Sequence, residues 1–326
     1  MYRNLGLIEL SIKTHLEILL DDQFNSNSYY ELSTMYNFSN HNEQLKTLLN
    51  IDMGNLSQKE KIYFSYSKAN AYHNNKDFKK SAYFLKIANE EKLKIQPSDI
   101  KKKLNTGEYF RNLKIDKNLN FEKVKDSNRY LFIVGMPRCG STLLESILSL
   151  NPKVKDLGEV SFLEDSLQKS DDLLEVKNLY KEKVMLINSK KEIFTDKNLF
   201  NFLYCPIIYK LFPNARIIHC IRNPLDNILS IYRTNFLNQS FSSSLNDIAD
   251  LYLYHVHLMK EYKSKFGSLI YSYEHEKVIR NPRETIQDLI NWLDWEWSEK
   301  YLSPQKSKRS VFTASSAQVR KKINAH

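Results

Sequence analysis

Cysteine is scarce in this chain of 326 residues: Cys139, Cys205 and Cys220 are an odd number without paired spacing. That excludes a disulfide framework and makes a reducing compartment the expectation. Long apolar runs are missing too. No stretch approaches the roughly 18 residues that a membrane-spanning helix needs. The opening MYRNLGLIELSIKTHLEILL is interrupted by Glu9, Lys13, His15 and Glu17 at amphipathic spacing. It reads as neither signal peptide nor membrane span, so a cytoplasmic protein is expected. No histidine shows ligand spacing; His255 and His257, two apart on a helix, do not face one site, and no metal is expected. The net charge of +10 is spread along the chain, with blocks only at Lys101–Lys103 and Arg320–Lys322. That dispersion argues against a nucleic-acid partner and leaves anionic substrates or a membrane surface.

Gly and Pro are also few, 7 and 8, while 42% of residues are hydrophobic and 12% aromatic. Such a chain buries a core and is not disordered. Its length suits one α/β domain plus a smaller module.

Residues 1–115 carry helical periodicity with almost no strand signal. Ile62, Phe64, Ala69 and Tyr72 precede a polar turn, Asn74-Asn75-Lys76-Asp77; Phe78, Ala82, Leu85 and Ala88 follow it. Small residues at Ala69 and Ala88 let two antiparallel helices approach, with Tyr72 and Phe78 filling the space between. The pattern resembles a tetratricopeptide unit, and Tyr29, Leu32, Ser33 and Tyr36 are a weaker echo. An unspecialised helical bundle is the plain alternative. A peptide partner on this module is one expectation.

Residues 116–128 read as a polar linker, and 129–326 as the second domain. Tyr130–Val134 is an apolar run of the buried parallel-strand type, with similar runs at Ala215–Cys220 and Ser268–Ser272. Helical patterns at Asp226–Phe236, Leu245–Phe266 and Pro282–Leu293 alternate with them. The expected fold is therefore α/β, a three-layer P-loop-like domain with a mostly parallel sheet, preceded by the all-α module.

The strongest local signal is Gly135-Met136-Pro137-Arg138-Cys139-Gly140-Ser141-Thr142, between a strand and a helix with inward Leu143, Leu144, Ile147 and Leu148. The glycines permit a tight turn, and the amides of Gly140, Ser141, Thr142 and Leu143 would face an anion at the helix N-terminus. The spacing is that of a P-loop, yet the lysine of that motif is missing and Arg138 supplies a cation earlier. Cysteine-phosphatase spacing is absent as well: six residues after Cys139 stands Glu145, and after Cys220 stands Asp226.

The Pro-Arg-x-Gly-Ser-Thr wording is similar to the 5′-phosphosulfate loop of sulfotransferases, particularly those with an N-terminal tetratricopeptide region and the related tyrosylprotein sulfotransferases. In those the position of Cys139 is usually Ser. Arg222 and Ser230, eight residues apart in Arg-Asn-Pro-Leu-Asp context, resemble the family's 3′-phosphate grip. Arg suits that role because its planar fork holds two phosphate oxygens. Thr195-Asp196-Lys197 looks like the segment presenting a catalytic Lys, although Leu199 replaces a usual Pro. Tyr273-Glu274 is similar to the segment lining the adenosine, and Ala314–Arg320, with Ser315, to the C-terminal cofactor loop. A further Ser, Trp and Lys segment is expected in relatives beyond His326, so truncation of the C-terminus is expected. Glu159, in Leu157-Gly158-Glu159, falls on the catalytic Glu of the tyrosylprotein enzymes; Glu145, Glu164 and Asp165 are its competitors.

The resemblance implies transfer of a sulfuryl group from 3′-phosphoadenosine-5′-phosphosulfate (PAPS) to a hydroxyl of a protein tyrosine, sugar or small alcohol. Glu159 would act as base, with Arg138, Lys197 and Ser315 stabilising developing charge. Arg138, Cys139, the Gly140–Leu143 turn, Arg222, Ser230, Tyr273 and Ser315 would hold the donor. Two other functions fit the sequence: a P-loop kinase or hydrolase, and a tetratricopeptide adaptor with an inactive transferase domain.

Overall fold

The computed structural model describes residues 2–36, 43–113, 129–187, 190–307 and 323. The chain divides into two compact units, Met1–Ile100 with Ile228–Asp250, and Lys101–Asn227 with Leu251–His326. The linker expected at 116–128 lies outside the described residues.

The first unit contains helices α1 (Ile8–Asp21), α2 (Ser26–Met35), α3 (Glu43–Asn50), α4 (Gln58–Asn74) and α5 (Phe78–Ile95). Helix α4 starts in a capping box, Ser57 and Glu60 each bonding the other's backbone amide. Lys76 takes a left-handed φ of 62° in the turn, and the Asp77 side chain caps α5. The pair packs antiparallel through Ala69 and Ala88, as the small residues predict, and Ser81 Oγ donates to the Ala69 carbonyl at 2.8 Å. Phe78 departs from expectation: it is 60% exposed. As the first residue of α5 it swings over the edge of His73, and Phe84 takes the stacked place beside Tyr72. Asn89 and Lys92 donate to the carbonyls of Tyr232 and Phe236, which holds the 228–250 segment on α5.

The second unit is built on five parallel strands: β1 (Arg129–Gly135), β2 (Val154–Gly158), β3 (Ile193–Asp196), β4 (Arg216–Ile221) and β5 (Ile270–Glu274), in spatial order β2-β3-β1-β4-β5. Its helices are α6 (Lys101–Arg111), α7 (Ser141–Leu148), α8 (Phe162–Leu167), α9 (Leu173–Ile187) and α10 (Cys205–Leu211), then α13 (His275–Arg280) and α14 (Pro282–Trp292). Two more, α11 (Pro224–Tyr232) and α12 (Leu245–Phe266), carry the chain from one unit to the other. Helix α6 belongs to this unit: Gly107 leaves no room for a Cβ beside the Tyr254 ring, and Arg111 pairs with Glu261 at 2.7 Å.

Strand β1 is buried on both faces from Tyr130 onward, as its apolar run requires. Leu131 and Ile133 pack with Leu144, Ile147 and Leu148 of α7 and with Ile286, Leu289 and Ile290 of α14. On the other face, Tyr130 and Phe132 meet Tyr180 of α9 and Phe212 in ring contacts of 5.1–5.9 Å. Helices thus cover both faces of the sheet, giving the expected three layers. The chain leaves β1 for β2 and β3 on one side and returns to β4 and β5 on the other. The crevice at this reversal, past the carboxyl ends of the strands, is where such sheets hold ligands.

Candidate functional site

The loop leaving β1 is shaped by its two glycines. Gly135 has φ +152°, and a Cβ there would stand 2.7 Å from the Cys220 carbonyl oxygen. Gly140 has φ +92°, and a Cβ there would overlap Nδ1 of His275. Between them Arg138 also takes a positive φ, 67°, a strain of about 1–2 kcal/mol for a residue with a Cβ. Neighbouring elements hold that strain: Arg222 Nη1 donates to the Arg138 carbonyl at 3.1 Å, and Asn227 Nδ2 donates to Pro137 O at 2.7 Å. Helix α7 then begins with no side-chain cap, so its first amides remain at an uncapped N-terminus. The Leu143 amide donates to Gly140 O at 3.1 Å, and the Ser141 amide faces the Cys139 sulfur.

Cys139 turns inward. It is 1% exposed and packs against Gly135 in the core with Cys220, its sulfur turned away from solvent. Ser141 and Thr142 are buried at the start of α7, and Leu143 is half-buried against the same core.

Adjacent strand ends bring a second group together. Gly158 closes β2 and Lys197 follows β3; the Lys197 amide donates to Gly158 O at 2.9 Å. The Lys197 side chain is completely buried. Its ammonium lies 2.7 Å from Glu159 Oε1, which is half-exposed, and 3.9 Å from Glu145 Oε2 on α7. Two of the sequence-predicted residues, Glu159 and Lys197, are therefore in direct contact, and a second carboxylate stands behind them. Glu164 and Asp165 lie on α8, and Asp165 pairs with Lys183 at 3.3 Å.

Asp196, next to Lys197, escaped the sequence reading as a site component. Its carboxylate accepts from Tyr180 OH (3.1 Å), the Asn198 amide (3.0 Å) and Asn201 Nδ2 (3.0 Å). These bonds fix the turn that presents Lys197. Burial pushes the Asp196 carboxyl up to about 7.

Strand β4 ends at Ile221, and Arg222 directly follows it. Its Nε is buried without a hydrogen-bond partner, and its carbonyl accepts from Tyr252 OH at 3.0 Å. Tyr273 is 0% exposed, with its hydroxyl likewise unpartnered. Ser230 stands two turns along α11, beyond the division at Asn227. Ser315 lies outside the described residues. Among the described residues no group of three or more His, Cys, Asp or Glu could hold a metal, and no helix is long and apolar enough to cross a membrane.

An uncapped helix start, a buried Arg222 Nε without a partner and a lysine at the next strand end form a set that fits an anionic group. Sequence reasoning missed His275, the residue against Gly140; its signal was position, directly after the Tyr273-Glu274 pair.

A family model described as "Sulfotransferase family" matches residues 131–181 and 172–299. The chain is 31% identical over 224 residues to an uncharacterized protein of Aquifex aeolicus (strain VF5). That match covers 60% of this chain and spans 29% of the relative's length. It is 26% identical over 203 residues to a Caenorhabditis briggsae protein provisionally named a protein-tyrosine sulfotransferase, covering 56% of this chain and 69% of that one. Among solved structures, the sulfotransferase domain from the Synechococcus PCC 7002 olefin synthase aligns over 60% of this chain and 84% of its own, at 20% identity and a TM-score of 0.47.

Proposed function

The chain belongs to the sulfotransferase family, and we propose on that footing that it moves a sulfuryl group from PAPS to an acceptor hydroxyl. The observation that carries this reading is the Lys197–Glu159 contact at the carboxyl edge of the sheet, one strand away from the uncapped loop.

The uncapped start of α7 and Arg138 would hold the 5′-phosphosulfate of PAPS, and Arg222 with Ser230 its 3′-phosphate. Tyr273 and Ser315 would belong to the same donor site. When bound, PAPS supplies an electrophilic sulfuryl group. Glu159, half-exposed and so open to an incoming acceptor, takes the proton from the hydroxyl as general base. Lys197, held in place by the Asp196 turn, offsets negative charge on the departing phosphate oxygen. No residue in this scheme has to form a covalent intermediate; positioning contributes the remainder.

The acceptor is read as a hydroxyl on a protein tyrosine, a sugar or a small alcohol. The name of the Caenorhabditis relative favours tyrosine among them. We read helices α1–α5 of the first unit as a tetratricopeptide-like module offering a surface to a peptide. Three free, buried cysteines suit a cytoplasmic setting.

The test is transfer of labelled sulfate from PAPS to a panel of tyrosyl peptides, glycans and cell extract, with magnesium–ATP as the rival donor. Label transferred from PAPS supports the reading. ATP turnover with indifference to PAPS would replace it with a kinase or hydrolase. PAPS binding without transfer to any acceptor would leave an adaptor with an inactive transferase domain.

A further inference from the structure

Beside the donor loop stands an imidazole to which the reading above assigns no part. His275 opens α13 directly after β5, and its Nδ1 occupies the space that a Cβ on Gly140 would need. That nitrogen is buried and has no hydrogen-bond partner. Arg222 Nε is in the same condition, directly after the neighbouring strand β4. Two buried nitrogens capable of donating, both unsatisfied and both beside one anion-shaped loop, are costly unless something accepts from them.

The charged groups facing His275 are Arg222 from β4, Arg138 from the loop, Asp226 from α11 and Glu276 from its own helix. Burial, then the two arginines, hold the free imidazole below its ordinary value; the two carboxylates oppose them. Nothing among these four groups bonds to Nδ1. An incoming dianion would reverse the balance, because it neutralises the arginines and supplies an acceptor.

We propose that His275 is a ligand for a phosphate group of the donor nucleotide, shared with Arg222, and that the donor is therefore bound with uptake of a proton. This rests on the reading of the loop as a nucleotide-phosphate site. The imidazole adds a full positive charge opposite the phosphate only when protonated, so it makes donor affinity a function of pH near neutrality.

The probe is adenosine 3′,5′-bisphosphate, titrated calorimetrically into the full chain at pH 6.5 and 8 in buffers of different ionisation enthalpy. The native protein should take up a larger fraction of a proton than His275→Gln. The variant should bind about tenfold more weakly at pH 6.5 and nearly as well as native at pH 8. Equal affinity and equal proton uptake in the two proteins would make His275 a packing residue against Gly140, leaving the donor-site reading intact. Failure of the native protein to bind the nucleotide at all would overturn that reading and this inference with it. Should the variant not fold, the native protein still decides. With its eight histidines labelled with nitrogen-15, one ring should pass from neutral to protonated shifts at pH 7 on nucleotide addition. No such ring would sink the inference.

Discussion

Lys197 Nζ lies 2.7 Å from Glu159 Oε1, a contact between the ends of two adjacent parallel strands, β3 and β2. The lysine is fully buried and the carboxylate half-exposed, so the pair has a closed side and an open side. Glu145 stands on the closed side at 3.9 Å. In the scheme proposed above this ion pair opens before transfer, and Glu145 remains beside the ammonium.

Glu159→Gln should leave PAPS affinity nearly unchanged, since the carboxylate faces the open side. Turnover should fall by ~10²–10⁴, the usual share of general-base catalysis. The acidic limb of the rate profile should vanish with it, provided chemistry limits turnover. A variant transferring sulfate at close to the native rate would pass the role to Glu164 or Asp165.

Lys197→Met should slow transfer while keeping the acidic limb. It should also lower stability by about 3 kcal/mol in urea melts, because a buried charge loses its partner. Adding Glu145→Gln should restore part of the stability and none of the rate. Recovery of both together would mean that Lys197 serves only the fold.

Arg222→Ala should weaken PAPS far more than adenosine phosphosulfate lacking the 3′-phosphate. A lost charged, bidentate contact is worth roughly 2–4 kcal/mol, about thirtyfold to a thousandfold in Kd. Equal weakening of the two ligands, measured side by side, would show that Arg222 does not read the 3′-phosphate.

A buried pair elsewhere in the second unit sets an acid limit on stability. His219 and His255 meet Nε2 to Nε2 at 2.9 Å, both buried. Burial pushes His255 down to about 3 and His219 well below its ordinary 6.5. Between those values the unfolded chain binds more protons than the folded one. The contribution is thus whole above about pH 6.5 and is lost as pH falls toward 3. His255→Gln should flatten the pH dependence of the urea midpoint between pH 6 and 4 by up to about one proton. An unchanged slope would count against the pair.

The sequence alone determined the elements whose signal is local. An unbroken apolar run marked β1, glycines at 135 and 140 marked a loop no side chain could follow, and Ala69 and Ala88 marked a close helix pair. Each depends on a residue's own volume or allowed backbone, which neighbours cannot change. Strands β2 and β3 were not legible as runs. Val154–Gly158 is a half-buried edge with polar residues in it, and Ile193–Asp196 has only four residues. Only pairing, of β3 with β1 and of β2 with β3, makes them strands. The same holds for the site. Glu159 and Lys197 were named separately, on family resemblance, and nothing in their 38-residue separation says that they touch. Cys139 turns to the core, and His275 leans on Gly140 from the far end of β5. Those placements arise because parallel strands end together at one edge, which collects side chains from distant parts of the chain; that is a property of tertiary structure.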